Sequence, residues 1–309
     1  MNEDQLLEIL EKASEMKLDK TINILASTQN ISIIVEGIDH LAVDIVLYMS
    51  VELLGKKVNL NTPLEYARYT LPYFERKEKA IILCKGGKNL SQQTKNLIQI
   101  CNILGIGFSL ITIGQLEEDI ERICSPIELI ELDTKIDELE HVYFTAVLII
   151  LTKMIAETAK REKKSYRAKE ILKRIEAMTQ KREFDYKEIR RIIKNIGIGK
   201  PIHIFIERVL YGLGLKFCKD LKKIMKCQCD VYTFNEYLNV LNEVEEDSTN
   251  IIISGEVEAD IARQILNSLK MSGKDGNLYV IKGDPLLAPI EFCIPLFSEI
   301  SKIIRVQEI

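Results

Sequence analysis

The sequence predicts an α/β protein built from two copies of one parallel-sheet module, each with helices on both faces. Short β-branched apolar runs alternate with segments of helical periodicity, as in residues 80–84, 90–104 and 108–113. The same order of elements recurs later in the chain, so that Glu36 and Glu207 follow equivalent runs at one offset (207 − 36 = 171). A repeat of this length indicates a duplicated unit. Each strand–helix–strand crossover should be right-handed, which gives open parallel sheets covered by helices.

Each predicted element follows from local pattern. A stripe formed by Leu6, Leu7, Leu10 and Ala13 predicts a helix through residues 2–27. The remaining predicted strands are 31–35, 57–60, 80–84, 108–113, 127–132, 202–206, 229–232, 251–254 and 278–281. The remaining predicted helices are 41–54, 63–71, 90–104, 142–177, 186–196, 209–225 and 259–271.

These elements group into a predicted domain organisation. We expect an N-terminal helix over residues 1–29 and a first module over 30–160. A charged helical connector is expected over 161–197, followed by a second module over 198–309. The length of 309 residues is ample for two domains of ordinary size.

Composition narrows the functional class. An apolar content of 47% with 28% charged residues is typical of a soluble globular protein. The net charge of −4 gives no reason to expect nucleic acid or an anionic membrane as a partner. The longest apolar run, residues 142–151, is too short to span a bilayer, and the charged start is unlike a signal peptide. We therefore expect a cytoplasmic protein, and the heavy use of Lys, Glu and Ile without Trp favours a thermophilic source.

The seven cysteines form no CxxC pair, and we interpret them as reduced core thiols. Cys227 and Cys229 stand two residues apart and could bind a metal, but packing in the core is the more common role for such a pair. The GxxxxGK[ST] spacing of a P-loop is absent. We expect neither a metal nor a cofactor.

A glycine turn follows the predicted third strand and is the candidate phosphate site. It consists of Lys85, Gly86, Gly87, Lys88 and Asn89. Ligands of parallel sheets bind at the carboxyl ends of the strands, and backbone N–H groups at a helix start attract anions. The two lysines add positive charge. The alternative interpretation is a plain glycine turn with solvated lysines.

Carboxylates also follow equivalent strands and are candidates for proton transfer. Glu36 and Glu207 could act as general bases, or could simply be first-turn acids stabilised by a helix dipole. Glu236 and Asp220 carry the same two interpretations. His40 could reach the cleft as an acid or base, although a structural role is the more common one. The three histidines share no metal-like spacing.

Three stretches resemble the sugar isomerase (SIS) family. Residues 80–112 resemble its strand, SQSGET phosphate loop, helix and strand, and residues 221–254 resemble its LKEISYIHAEAYxxGELKHGPLALI run. Residues 287–300, LAPIEFCIPLFSEI, resemble the closing APIxxxxPLQLLAY helix. The similarity is greatest to the paired modules of the isomerase half of glucosamine-6-phosphate synthase. It implies a homodimer that binds a hexose 6-phosphate and interconverts ketose and aldose.

Several family positions carry other residues in this chain. The SQSGET loop falls on residues 84–89, where only the glycine, Gly87, is kept. The family's catalytic glutamate falls on Lys223, its lysine three residues earlier on Asp220, and its histidine on Asn239.

The chain ends at Ile309, before the family's C-terminal lysine, and Asn2 stands where the synthase has its glutaminase cysteine. We therefore expect no glutamine hydrolysis. The sequence favours a catalytically degenerate phosphosugar-binding protein with a regulatory or structural role, and we expect that role in amino-sugar metabolism. The alternative is an active isomerase or deglycase with a site rebuilt around Glu36, His40, Glu207 and Glu236. A third alternative is a purely structural protein.

Overall fold

The computed structural model describes residues 3–36, 44–73, 79–86, 90–124, 127–130, 140–181, 186–196 and 199–307. The chain separates into two compact units, residues 1–182 and 183–309. The strands are β1 (Ile31–Val35), β2 (Val58–Asn61), β3 (Lys79–Lys85), β4 (Phe108–Ile113), β5 (Ile127–Ile130), β6 (Ile202–Ile206), β7 (Cys229–Thr233), β8 (Thr249–Gly255) and β9 (Asn277–Ile281).

Helices cover the strands. They are α1 (Glu3–Glu15), α2 (Asp19–Ser27), α3 (Ile45–Met49), α4 (Pro63–Glu65), α5 (Gln92–Ile103), α6 (Glu118–Ile123), α7 (Glu140–Arg161), α8 (Arg167–Lys181), α9 (Tyr186–Lys194), α10 (Tyr211–Met225), α11 (Tyr237–Val240), α12 (Ala259–Met271) and α13 (Ala288–Gln307). Two of them continue as π-helix, α3 through Ser50–Leu54 and α4 through Tyr66–Thr70.

Both units contain one parallel sheet with the same strand order. The first sheet runs β2-β1-β3-β4-β5 and the second runs β7-β6-β8-β9. In each sheet the order reverses between the first and third strands of the unit, that is, between β1 and β3 and between β6 and β8. Such a reversal is the switch point at which open α/β sheets bind their ligands. The predicted fold class, two tandem α/β modules, is confirmed.

Strand register shows where the repeat is imperfect. Val35 of β1 lies opposite Leu83 of β3, whereas Ile206 of β6 lies opposite Ile253 of β8. The first and second strands keep the predicted offset of 171, but the third strand is offset by one residue less. The predicted uniform offset is therefore wrong for the third strand. Val58 and Lys79, which both pair with Ile31, are one residue further apart in sequence than Cys229 and Thr249, which both pair with Ile202.

The N-terminal segment forms two helices, α1 and α2, in place of the single helix predicted through residues 2–27. The break at residues 16–18 coincides with a buried lysine. The Lys153 ammonium donates to the carbonyl oxygens of Ser14 at 2.5 Å and Met16 at 2.7 Å. These bonds satisfy carbonyls that the end of α1 would otherwise leave unpaired.

Helices α7, α8 and α9 lie between the two sheets in sequence, and the first two belong to the first unit and the third to the second. Helix α7 is buried over residues 143–156, and α8 packs against it and against α1. The helix predicted over residues 142–177 is interrupted because Lys163 has a left-handed φ of 55°. Helix α9 packs against α13. The segment expected as a connector, residues 161–197, thus contributes α8 to the first unit and α9 to the second.

All seven cysteines are free thiols in the structure, and six of them are buried. Across the described ranges, no helix combines the length and apolar character needed to cross a membrane.

Gly86, directly after β3, offers a test of the packing at this end of the sheet. A Cβ on Gly86 would lie 2.1 Å from the carbonyl oxygen of Gly114, a backbone atom that cannot move aside without displacing the chain. We expect Gly86→Ala to lower the free energy of unfolding by at least about 3 kcal/mol in urea titration. Gly107→Ala is the matched control, since its Cβ would meet only Lys79 Cγ at 3.8 Å. Equal effects of the two substitutions would contradict this packing.

Candidate functional site

Each switch point is marked by a glutamate that directly follows the first strand of its unit. The Glu36 amide donates to the carbonyl oxygen of Leu83 at 2.9 Å, and the Glu207 amide donates to that of Ile253 at 3.3 Å. Both glutamates therefore continue the hydrogen bonding between the two strands that border the switch point. The duplicated sheet fixes them at equivalent positions on the carboxyl edge, where ligands of such sheets bind.

The Glu36 side chain is only 5% exposed and reaches the N-terminus of α5. Its Oε1 accepts a hydrogen bond from the Ser91 amide at 2.6 Å. Ser91 is the N-cap residue of α5, and its Oγ accepts from the Thr94 amide at 3.2 Å. Glu36 Oε2 has no hydrogen-bond partner in the described part of the chain. The Glu36 carboxylate thus occupies an amide at the N-terminus of a helix, a position that attracts anions.

Tyr143 and Lys85 complete the surroundings of Glu36 that the structure describes. The Tyr143 hydroxyl donates to the Glu36 carbonyl oxygen at 2.9 Å, and burial raises the pKa of this phenol. The Lys85 ammonium lies 5.0 Å from the centroid of the Tyr143 ring. Burial, followed by the Glu36 charge, raises the pKa of the Cys84 thiol. Lys85 is therefore the nearby cation that an incoming anion could use.

Of the predicted phosphate turn, Lys85 and Gly86 lie among the described residues. Gly87, Lys88 and Asn89 lie outside the described residues, as does His40. The Gly86 amide donates to the carbonyl oxygen of Ile113 at 2.9 Å, so it is engaged in the β3–β4 pairing. This engagement removes one of the backbone donors that the sequence suggested for a phosphate.

The Glu207 side chain is 2% exposed, and its Oε2 accepts from the Gly255 amide at 2.9 Å. Space is limited here, since a Cβ on Gly255 would lie 3.1 Å from Glu207 Oε1. Burial raises the pKa of Glu207 to about 7, and the nearby Glu258 charge acts in the same direction, while the Gly255 bond opposes them. A carboxyl with such a pKa can give or accept a proton near neutral pH.

The Glu207 side chain does not cap the helix that follows it. The residue precedes a short 3₁₀ helix, Arg208–Leu210, but its side chain makes no capping bond to that helix. It bonds instead to Gly255 on the neighbouring strand β8. Hydrogen-bonded parallel strands lie about 4.8 Å apart, so an amide at the end of the next strand is well within reach of a glutamate.

The other predicted carboxylates are bound locally. Glu236 Oε2 accepts from both the amide and the hydroxyl of Thr233 at 2.7 Å, and these bonds lower the pKa of Glu236. Asp220 is buried on α10, where its Oδ1 accepts from the Lys216 ammonium at 3.2 Å. The structural alternative is favoured for both residues.

His203 lies on β6 with 5% of its surface exposed. Neither ring nitrogen has a hydrogen-bond partner in the described residues, and burial lowers the pKa of this imidazole. Its ring stacks on Tyr232 at 6.1 Å, in keeping with a structural role. No group of three or more His, Cys, Asp or Glu side chains within the described ranges is arranged to hold a metal ion.

Sequence reasoning missed the partners of the two buried glutamates. The sequence patterns described above single out none of Ser91, Gly255 and Tyr143. The one available hint was that a glycine ends the third strand of the second unit where the first unit has the lysine-glycine turn.

Comparison with solved structures identifies a shared fold. The chain matches the C-terminal domain of glucosamine-fructose-6-phosphate aminotransferase from Francisella tularensis with a TM-score of 0.74 and 14% identity, over 99% of this chain and 94% of that one. It matches glucosamine-6-phosphate deaminase from Thermotoga maritima with a TM-score of 0.65 and 10% identity, over 99% and 94% of the two chains. A third match is tagatose-6-phosphate ketose/aldose isomerase from Escherichia coli, with a TM-score of 0.63 and 10% identity over 99% and 90%.

At these identities the likeness shows the fold alone. No family profile matches the sequence, and no curated protein matches it at the level of sequence.

Titration of Glu207 should be visible in protein stability. Its pKa is raised to about 7 in the folded state, so ionisation between its ordinary pKa and pH 8 weakens the fold. Glu207→Gln removes that titration and can still accept from Gly255. We expect the free energy of unfolding of this variant, relative to wild type, to rise by on the order of 3 kcal/mol between pH 5 and pH 8.

Glu236→Gln is the control, because hydrogen bonds from Thr233 lower the pKa of Glu236. Its stabilisation is already complete above the ordinary glutamate pKa and is lost only in acid, so the difference between Glu236→Gln and wild type should stay nearly constant between pH 5 and pH 8. A pH-independent difference between Glu207→Gln and wild type would show that Glu207 titrates normally.

Proposed function

We propose that this chain, a protein with the tandem SIS fold, binds sugar phosphates weakly and has lost ketose–aldose isomerase chemistry, serving instead in regulation or structure. The observation that carries the proposal is the buried carboxylate at each switch point. Glu36 accepts from Ser91 at 2.6 Å, and Glu207 accepts from Gly255 at 2.9 Å. Both bonds use amides at the edge where an anionic ligand of this fold class would bind.

Electrostatics supports weak binding in the first unit. A phosphate approaching the Ser91 amide would meet the Glu36 carboxylate, and like charges about 4 Å apart repel by about 4 kcal/mol at an effective dielectric constant of 20. Lys85 supplies one positive charge near Glu36. Its ammonium lies 5.0 Å from the centroid of the Tyr143 ring. The balance favours low affinity over complete exclusion.

The positions that carry catalysis in the resembled family also support the proposal. The residue that falls on the family's lysine, Asp220, is buried and accepts from Lys216. The family's glutamate and histidine fall on Lys223 and Asn239, and both residues are exposed. Enediol chemistry requires a base held against the carbon-bound proton, and none of these three side chains meets that requirement.

A second candidate function is an isomerase or deglycase with a rebuilt site, and one observation favours it. Glu207 is buried with a pKa raised to about 7, the property of a general base that works near neutral pH. The sequence also named Glu36, His40 and Glu236 as candidates for such chemistry. The bond from Thr233 to Glu236 argues against it, because that carboxylate is already satisfied by its own turn.

The ligand class and assembly are part of the same proposal. A hexose 6-phosphate is the expected ligand and a homodimer the expected assembly, with a place in amino-sugar metabolism. The support is the fold shared with a glucosamine-fructose-6-phosphate aminotransferase domain, a glucosamine-6-phosphate deaminase and a tagatose-6-phosphate isomerase.

The loss of catalysis can be tested by a turnover assay. Purified protein incubated with fructose 6-phosphate should produce no glucose 6-phosphate above the background rate, measured by a coupled dehydrogenase assay. Turnover that is abolished by Glu207→Gln but retained by Glu118→Gln would favour the rebuilt isomerase instead. Glu118 is a suitable control because it is an exposed glutamate on α6 that pairs with Arg122.

The role of Glu36 can be tested by calorimetric titration with inorganic phosphate and with fructose 6-phosphate. Glu36→Gln keeps an oxygen for the Ser91 amide but removes the negative charge. We expect it to increase the affinity for both probes by at least about tenfold, and Lys85→Ala to reduce it.

Glu118→Gln is the matched control for charge, since Glu118 is exposed on α6 and pairs with Arg122. It should leave both affinities unchanged. Equal effects of Glu36→Gln and Glu118→Gln on the two affinities would mean that the Glu36 carboxylate does not weaken phosphate binding.

A further inference from the structure

Three cysteines lie together in the second unit, away from its carboxyl edge. Cys218 lies on α10, Cys229 is the first residue of β7, and Cys227 lies in the short connection between them. Helix α10 packs along β7, which is the edge strand of its sheet. The packing of this crossover helix, rather than closeness in sequence alone, brings Cys218 to the start of the strand.

Cys218 and Cys229 are in direct contact. The Cys218 thiol donates a hydrogen bond to the carbonyl oxygen of Cys229 at 2.9 Å. Cys229 is buried and Cys218 is 6% exposed, whereas Cys227 is half-buried. Cys218 and Cys229 are therefore the two inner cysteines, and Cys227 is the outer one.

The surroundings give the two inner thiols different character. The side chain of Cys229 lowers the pKa of Cys218, and the charge of Lys222, one helical turn further along α10, acts in the same direction. The side chain of Cys218 and burial raise the pKa of Cys229. By contrast, burial raises the pKa of Cys101 in the first unit to about 12. Since the thiolate is the reactive form of cysteine, the cluster has one nucleophilic thiol beside one protonated thiol.

We propose that Cys218 and Cys229 form a reversible disulfide when the protein meets a peroxide. The Cys218 thiolate attacks one peroxide oxygen, so that an S–O bond forms, the O–O bond breaks and hydroxide leaves. The Cys229 sulfur then attacks the sulfenic sulfur of Cys218, the S–O bond breaks and water is released. Two thiols and one hydrogen peroxide thus give one disulfide and two waters.

The disulfide would tie the crossover helix to the edge strand. The linked segment contains Lys226, which ends α10 with a left-handed φ of 50°. Helix α10 also begins just after Glu207 and the turn Arg208–Leu210, so the bond would fix the far end of the element that leaves the carboxyl edge. This inference is independent of the proposed sugar-phosphate binding.

Peptide mapping tests the proposal. The folded protein is treated with hydrogen peroxide, free thiols are blocked, and the chain is cut with trypsin without reduction. Cys218 then lies on peptide 217–219, and both Cys227 and Cys229 lie on peptide 227–263. We expect these peptides to be linked, with a mass two hydrogens below their sum, in wild type and in Cys227→Ser. The link should be absent in Cys229→Ser and reversed by dithiothreitol.

Three results would overturn the proposal. One is a link that persists in Cys229→Ser but disappears in Cys227→Ser. Another is a disulfide within peptide 227–263 of the wild type. The third is the absence of any disulfide at peroxide doses that oxidise the buried Cys101. Because Cys227→Ser changes only the outer thiol, its result remains informative even if the two inner-thiol variants fold poorly.

Discussion

The same kind of hydrogen bond, from a backbone amide to a buried glutamate, occurs at the carboxyl edge of each sheet, where a ligand is expected. In each unit a buried glutamate after the first strand accepts from an amide at the far side of the switch point, Ser91 in the first unit and Gly255 in the second. Parallel sheets of this kind collect amides and helix starts at their carboxyl edge, which makes that edge attractive to anions. Here the protein supplies the anion itself.

The two copies of this contact differ in their surroundings, and the difference has chemical consequences. Glu36 lies against the N-terminus of α5, next to a tyrosine that fixes its backbone oxygen and a lysine that supplies positive charge. Glu207 faces the end of a strand and the charge of Glu258, and burial raises its pKa to about 7. Under our proposal the first carboxylate competes with a bound anion, whereas the second can change charge near neutral pH. The two copies of the module therefore differ chemically at the carboxyl edges of their sheets.

Much of the fold followed from the sequence because strand and helix periods are local properties. The repeat revealed the duplication, and the order of elements determined the topology. The one-residue difference at the third strand escaped prediction because it arises in the connection between two strands, whose length no strand or helix period determines. The break after α1 escaped as well, since it depends on Lys153, which is distant in sequence and reaches the end of the helix only in the folded protein.

The site was harder to predict for the same reason. Glu36 and Glu207 could be selected from their positions after strands, but their partners are set by strand pairing and by the path of the next loop. The sequence left open whether each carboxylate would cap its own helix or cross to a neighbour. For Glu207, strand register decided the question, because the adjacent strand ends with an amide within reach.

The central claim is that protein carboxylates hold the switch-point amides against a phosphate ligand. The most direct measurement is a pair of crystal structures, one without ligand and one grown in a high concentration of fructose 6-phosphate. We expect Glu36 to remain hydrogen-bonded to the Ser91 amide, and Glu207 to that of Gly255, in both crystals. A phosphate bound to the Ser91 amide with Glu36 turned away would contradict this expectation.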